Sequence, residues 1–127
     1  MSSGARSILL GLMGLLLTAS PSLGAELVTY GCDELVVVGR VRTVSYIDLT
    51  AKDDVLGHGR YSMEIAVRRV LRGRETRRVL PVVGYSHAQM RDDADFWLVL
   101  ARAEDGSYSV RTANLTRIPY KLAPKCE

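Results

Sequence analysis

Arg60-Tyr-Ser-Met-Glu-Ile-Ala-Val-Arg-Arg-Val-Leu71 decides the fold class. Tyr61, Met63, Ile65 and Val67 alternate with Ser62, Glu64, Ala66 and Arg68. A period of two puts one set of side chains in a core and the other in water, which is the pattern of a strand in an antiparallel sheet. The alternation slips at Val70-Leu71, predicting a bend before Gly73. Four more short apolar runs flank this one: Glu34–Tyr46, Arg78–Tyr85, Asp95–Ala103 and Ser107–Thr112. Each is rich in Val, Leu or aromatic residues and bounded by Gly, Asp or Arg, and no long segment of helical period appears, so the chain reads as all-β.

The exceptions to clean alternation carry the topology. Gly39 lies inside the first run and marks a bulge or bend, the device that curls a sheet toward closure. Pro81 cannot donate to a ladder and argues for an edge or a bulge in the third run. Asp95–Ala103 (DFWLVLARA) is apolar on both faces and reads as the most enclosed strand. Glu104-Asp105-Gly106 is a tight turn joining the last two runs as a hairpin. Five short strands favour a closed or nearly closed barrel, because closure removes the exposed edges of a lone sheet. Ala113–Glu127, with Pro119 and Pro124, reads as a strap that carries Cys126 back to Cys32.

The N-terminal segment has a different character. Arg6 is followed by the unbroken apolar run Ile8–Leu17 and then by Thr18–Ala25, which contains small residues and Pro21. This is the layout of a signal peptide over residues 1–24, leaving one domain over residues 25–127. The apolar run rises about 15 Å as a helix, roughly half a bilayer's hydrocarbon thickness, which argues against a permanent membrane anchor. Cys32 stands too far beyond Leu17 for lipidation. Both cysteines fall in the mature part, and a Cys32–Cys126 disulfide suits a periplasmic or secreted protein. Closing a loop of roughly 95 residues is worth about 4–5 kcal/mol in the chain-entropy model. Without Arg6 the basic residues fall from 17 to 16 against 14 acidic ones, a balance too near neutral to imply nucleic acid as a whole-domain partner.

Leu35-Val-Val-Val-Gly-Arg-Val41, then Tyr61–Gly73 ending Val70-Leu-Arg-Gly73, then Phe96-Trp-Leu-Val-Leu100, together resemble the OB-fold domain of the netrin-like family, which includes the tissue inhibitors of metalloproteinases and small secreted bacterial relatives. The resemblance spans roughly Glu34–Thr112. It implies a five-stranded OB-like barrel with disulfide-linked terminal straps, and a metalloprotease as one partner class. In those inhibitors a cysteine at the mature N-terminus presents its amine and carbonyl to the protease zinc. Cys32 here stands several residues inside the expected mature chain, and the family's other disulfides have no counterpart.

Candidate sites are few. Arg68, Arg69, Arg72, Arg74, Arg77 and Arg78, offset by Glu75, form a patch able to hold an anionic envelope ligand or an acidic protein face, and equally able to serve as a solvated tip that resists edge association. Asp92, Asp93 and Asp95 lack the glycine-punctuated loop of a calcium site and read as a polar turn. His58 and His87 are the only histidines, and a hydrolytic enzyme would have to use one of them as its base, but no local motif supplies a nucleophile. Tyr46, Tyr61, Tyr85, Tyr108 and Trp97 offer stacking surfaces, but Tyr61 and Tyr108 fit a core equally well and Trp97, on the enclosed strand, reads as packing. Asn114-Leu115-Thr116 matches a glycosylation acceptor, discounted because the arginine-rich composition suits a bacterium. No cofactor or metal motif is visible. The sequence therefore reads as an exported, non-catalytic binding module acting by surface complementarity, its partner an unidentified protein or an anionic envelope ligand.

Overall fold

The structure is a computed structural model and describes Gly24–Cys126. The signal-peptide reading lies almost entirely outside the described residues. Seven strands follow in order: β1 (Glu26–Tyr30), β2 (Leu35–Asp48), β3 (Gly59–Arg72), β4 (Val79–Ser86), β5 (Asp95–Arg102), β6 (Tyr108–Leu115) and β7 (Tyr120–Pro124). The middle five close into a barrel in the order β2-β3-β4-β6-β5. All neighbours are antiparallel except β4 and β6, whose parallel seam is two pairs long, Val82↔Tyr108 and Val83↔Ser109. This is the expected all-β, five-stranded OB-like barrel.

The irregular residues close it. The β2–β3 register shifts between Val38 and Gly39, and a Cβ on Gly39 would lie 2.6 Å from the Ala66 carbonyl oxygen. Only a residue without a side chain lets the two strands approach at this bend. Pro81 pairs with Glu64 of β3 and lies just outside the β4–β6 seam, so no partner demands a proton from it on that side. Gly106 adopts φ +83° at the β5–β6 turn, where its N–H donates to the Ala103 carbonyl at 3.1 Å. The expected hairpin is therefore present.

Two apolar cores result. The inner one fills the barrel with Val37, Val41, Met63, Ile65, Leu80, Val82, Phe96, Leu98, Leu100 and Tyr108. The outer one groups Val28, Val36, Val38, Trp97 and Val99, with Tyr30, Leu71, Tyr120 and Leu122 packed against it. This explains why β5 is apolar on both faces: its inner side faces the barrel and its outer side faces a second layer.

That layer refines the sequence reading of the termini. Instead of unpaired straps, β1 and β7 form a two-stranded parallel ribbon with Val28 opposite Leu122. Residues 113–115, read as the start of the strap, belong to β6. Cys32 and Cys126 are disulfide-bonded directly beyond the ribbon, with Cα atoms 5.3 Å apart and a sequence separation of 94.

Candidate functional site

The most unusual surface arises where β2 outruns its partner. β2 pairs with β5 only from Leu35 to Arg40, and from Val41 to Asp48 it pairs with β3 alone. β4 reaches the same end of β3, with Tyr85 opposite Arg60 and Ser86 opposite Gly59. The outcome is a three-stranded arm whose β2 edge has no strand partner beyond Arg40 and whose β4 edge has none beyond Val83. Of the exposed large apolar residues, Val44, Tyr46, Ile47, Leu49, Val55, Leu56 and Tyr85 all lie on this arm or its tip. Seven exposed apolar residues gathered on one projecting element point to an interaction site, as single scattered ones would not.

The tip loop is built rather than slack. The Asp48 carboxylate accepts from the Thr50 N–H at 2.9 Å, the Thr50 hydroxyl oxygen accepts from the His58 N–H at 3.2 Å, and the Leu49 N–H donates to the His58 carbonyl at 2.9 Å. Thr50, through its side chain first and then its backbone N–H, holds the Asp48 carboxyl below its ordinary value. Asp54 N–H donates to the Ala51 carbonyl at 2.9 Å. These bonds satisfy the loop's backbone locally and leave Val55 98% and Leu56 73% exposed. Tyr46 lies against Tyr61, ring centroids 4.8 Å apart, and its ring occupies the space a Cβ on Gly59 would need.

His58 and His87 meet beside this tip, although they stand 29 positions apart in the chain. Their rings stand edge to face with centroids 5.1 Å apart. Nδ1 of His58 is hydrogen-bonded to the Asp54 carboxylate, whose other oxygen accepts from the Gly57 N–H at 3.0 Å. Gly57 has φ +73°, a left-handed conformation that turns the loop so that one carboxylate meets both donors. The bond from His58 holds the Asp54 carboxyl below its ordinary value. Asp54 was not legible as a functional residue from sequence; only its spacing of four from His58 hinted at it.

The arginine patch is spread over four settings. Arg68 in β3 shares Asp95 with Arg40, at 3.0 and 3.3 Å, and lines with Arg40, Arg42, Glu64 and Asp92 an open groove of about 480 Å³. Arg72 donates to the Tyr30 hydroxyl at 3.0 Å and lies over its ring. Arg77 bonds both oxygens of Glu75 at 3.0 Å and donates to the Gly106 carbonyl at 3.1 Å, tying the β3–β4 turn to the β5–β6 turn. Arg77 and the Tyr108 hydroxyl, which donates to Glu75 at 2.8 Å, hold the Glu75 carboxyl well below the usual carboxylate range. Arg69, Arg74 and Arg78 are exposed and make no ion pair among the described residues.

The aspartates around the start of β5 do not converge: Asp93 is held by Arg91 at 2.8 and 2.9 Å, and Asp95 by Arg40 and Arg68. Among the described residues no group of three or more His, Cys, Asp or Glu is disposed around one point. Trp97 and Tyr108 are core residues, each 1% exposed.

Fold and site together define an OB-like barrel whose disulfide, of the kind that persists in an oxidising, extracytoplasmic compartment, latches a terminal ribbon over its outer wall, and whose longest hairpin projects an apolar arm. No protein-family model, curated protein or solved structure matches the chain. Among the described residues no helix is long and apolar enough to cross a membrane.

Proposed function

We propose that this protein is an exported, non-catalytic binding module that engages a partner protein of the cell envelope through the arm formed by β2, β3 and the end of β4. The carrying observation is the concentration of exposed apolar side chains there, beside a β2 edge that β5 leaves open. An extended segment of the partner adds to that edge through backbone hydrogen bonds, while Val55, Leu56 and Leu49 contribute apolar contact. Export is supported by the leader-like residues 1–24 and by the Cys32–Cys126 disulfide.

Kinship to the netrin-like family rests on the resemblance over Glu34–Thr112, and the metalloprotease-inhibitor mechanism is disfavoured. A mature chain beginning at Cys32 would lack β1 and with it Val28, uncovering Val36, Val38, Val99 and Trp97. The arginine patch ranks below the arm as a docking site, because Arg68, Arg72 and Arg77 are engaged within the fold.

A photo-crosslinking residue at Leu56 in the producing cell tests the reading, with the same residue at Glu104 on the β5–β6 turn as control. A discrete protein adduct from Leu56 that is absent from Glu104 is expected, and it should disappear when Leu49 is changed to Asp. Identical adduct patterns from the two positions, or none, would overturn the proposal.

A further inference from the structure

We infer that His58 and His87 form a two-imidazole site for a divalent transition-metal ion, with Asp54 as the residue that positions His58. The chain has two histidines, and the fold sets their rings side by side from two different loops. The separation is one that a shared metal ion permits. With a metal–nitrogen distance of about 2.0–2.1 Å, each ring centroid lies about 3.2 Å from the ion, and two ligands at a tetrahedral angle then have centroids about 5.2 Å apart. The observed value is 5.1 Å.

The protonation pattern fits as well. Asp54 is an acceptor, so in the neutral imidazole the His58 Nδ1 bonded to it carries the proton and Nε2 keeps its lone pair. A carboxylate behind a ligating imidazole sets the tautomer and ring orientation and raises the ligand's basicity. Asp54 is itself fixed by the Gly57 N–H, and the His58 backbone by Thr50, so the ring is held before any ion arrives. Both histidines are exposed, which leaves the remaining coordination positions to water. Imidazole pairs suit zinc, copper and nickel over hard cations such as calcium. This site is independent of the docking role proposed for the arm.

The test is calorimetric titration of Zn²⁺ into the disulfide-bonded, tag-free protein. One ion per chain is expected, with affinity falling at least tenfold in His58→Ala and in His87→Ala, both of which should melt as the parent does. Stoichiometric Zn²⁺ should also shift the ring resonances of both histidines together, and a Mg²⁺ titration should leave them unmoved. Nitrogen-15 shifts should report the Nδ1–H tautomer of His58, and Asp54→Asn should abolish that preference while weakening Zn²⁺ binding about tenfold. Parent-like binding in either alanine variant, or no stoichiometric binding by the parent, would overturn the assignment.

Discussion

Gly39 and Glu75 show how single residues hold this barrel. At Gly39 the strands β2 and β3 approach so closely that a methyl group would strike both the Ala66 carbonyl and the Ile65 side chain. Gly39→Ala is therefore expected to lower unfolding free energy by about 1–3 kcal/mol, the range for overpacking a core, seen as a lower denaturant midpoint. Glu75 joins Arg77 and Tyr108 across two turns, with its side chain 7% exposed. Its carboxyl is held below the ordinary value of 4.5, so the folded state binds fewer protons there than the unfolded chain. That contribution is complete above about pH 4.5 and is lost as the pH falls through the folded-state value. Thermal melts from pH 7 downward should show the parent losing stability below that point, and Glu75→Gln should flatten the acid limb while being less stable at neutral pH.

Among the elements, the β2–β3 hairpin divides its work at Arg40. Up to that residue β2 is walled by β5 and its Val36, Val37 and Val38 are buried; beyond it the same strand has one neighbour and carries exposed Val44, Tyr46 and Ile47. The loop that follows spends its hydrogen bonds on itself, so Val55 and Leu56 are presented without supporting the barrel. Replacing both by Asp should change stability by no more than about 0.5 kcal/mol, as is usual for surface positions. Unchanged melting in this variant, together with loss of the Leu56 crosslink when Val55 alone is changed to Asp, would separate docking from folding. A large loss of stability would instead show that the tip is part of the core.

At the scale of the whole molecule, the terminal ribbon and its disulfide finish the outer wall. β1 and β7 lie at opposite ends of the chain, yet they cover Trp97 and the outer valines. Bringing those ends together is entropically costly, and a crosslink over 94 residues removes most of that cost from the unfolded state. Replacing Cys32 and Cys126 by Ala should cost about 2–5 kcal/mol, read as a lower melting temperature, and the native protein should show no titratable thiol. Protection of Trp97 from fluorescence quenchers should fall in the same variant, because the ribbon over it is no longer latched.

The sequence by itself determined the strands of the barrel, since burial on one face of a sheet is written as a period of two and appears directly in Tyr61, Met63, Ile65 and Val67. It also determined the bend at Gly39, the turn at Gly106 and the pairing of the only two cysteines, because each depends on a local property: a missing side chain, a positive φ, or a count of two. The short strands β1 and β7 were not legible, because five residues hold too little alternation to signal a strand and each pairs with residues about ninety positions away. The exposure of the β2–β3 arm was equally hidden. Val44 and Ile47 read like the apolar residues around them, and only the point where β5 stops decides which remain uncovered. The meeting of His58 with His87, and of Asp54 with both loop and ring, was decided by tertiary structure alone, for no local pattern encodes the approach of two loops.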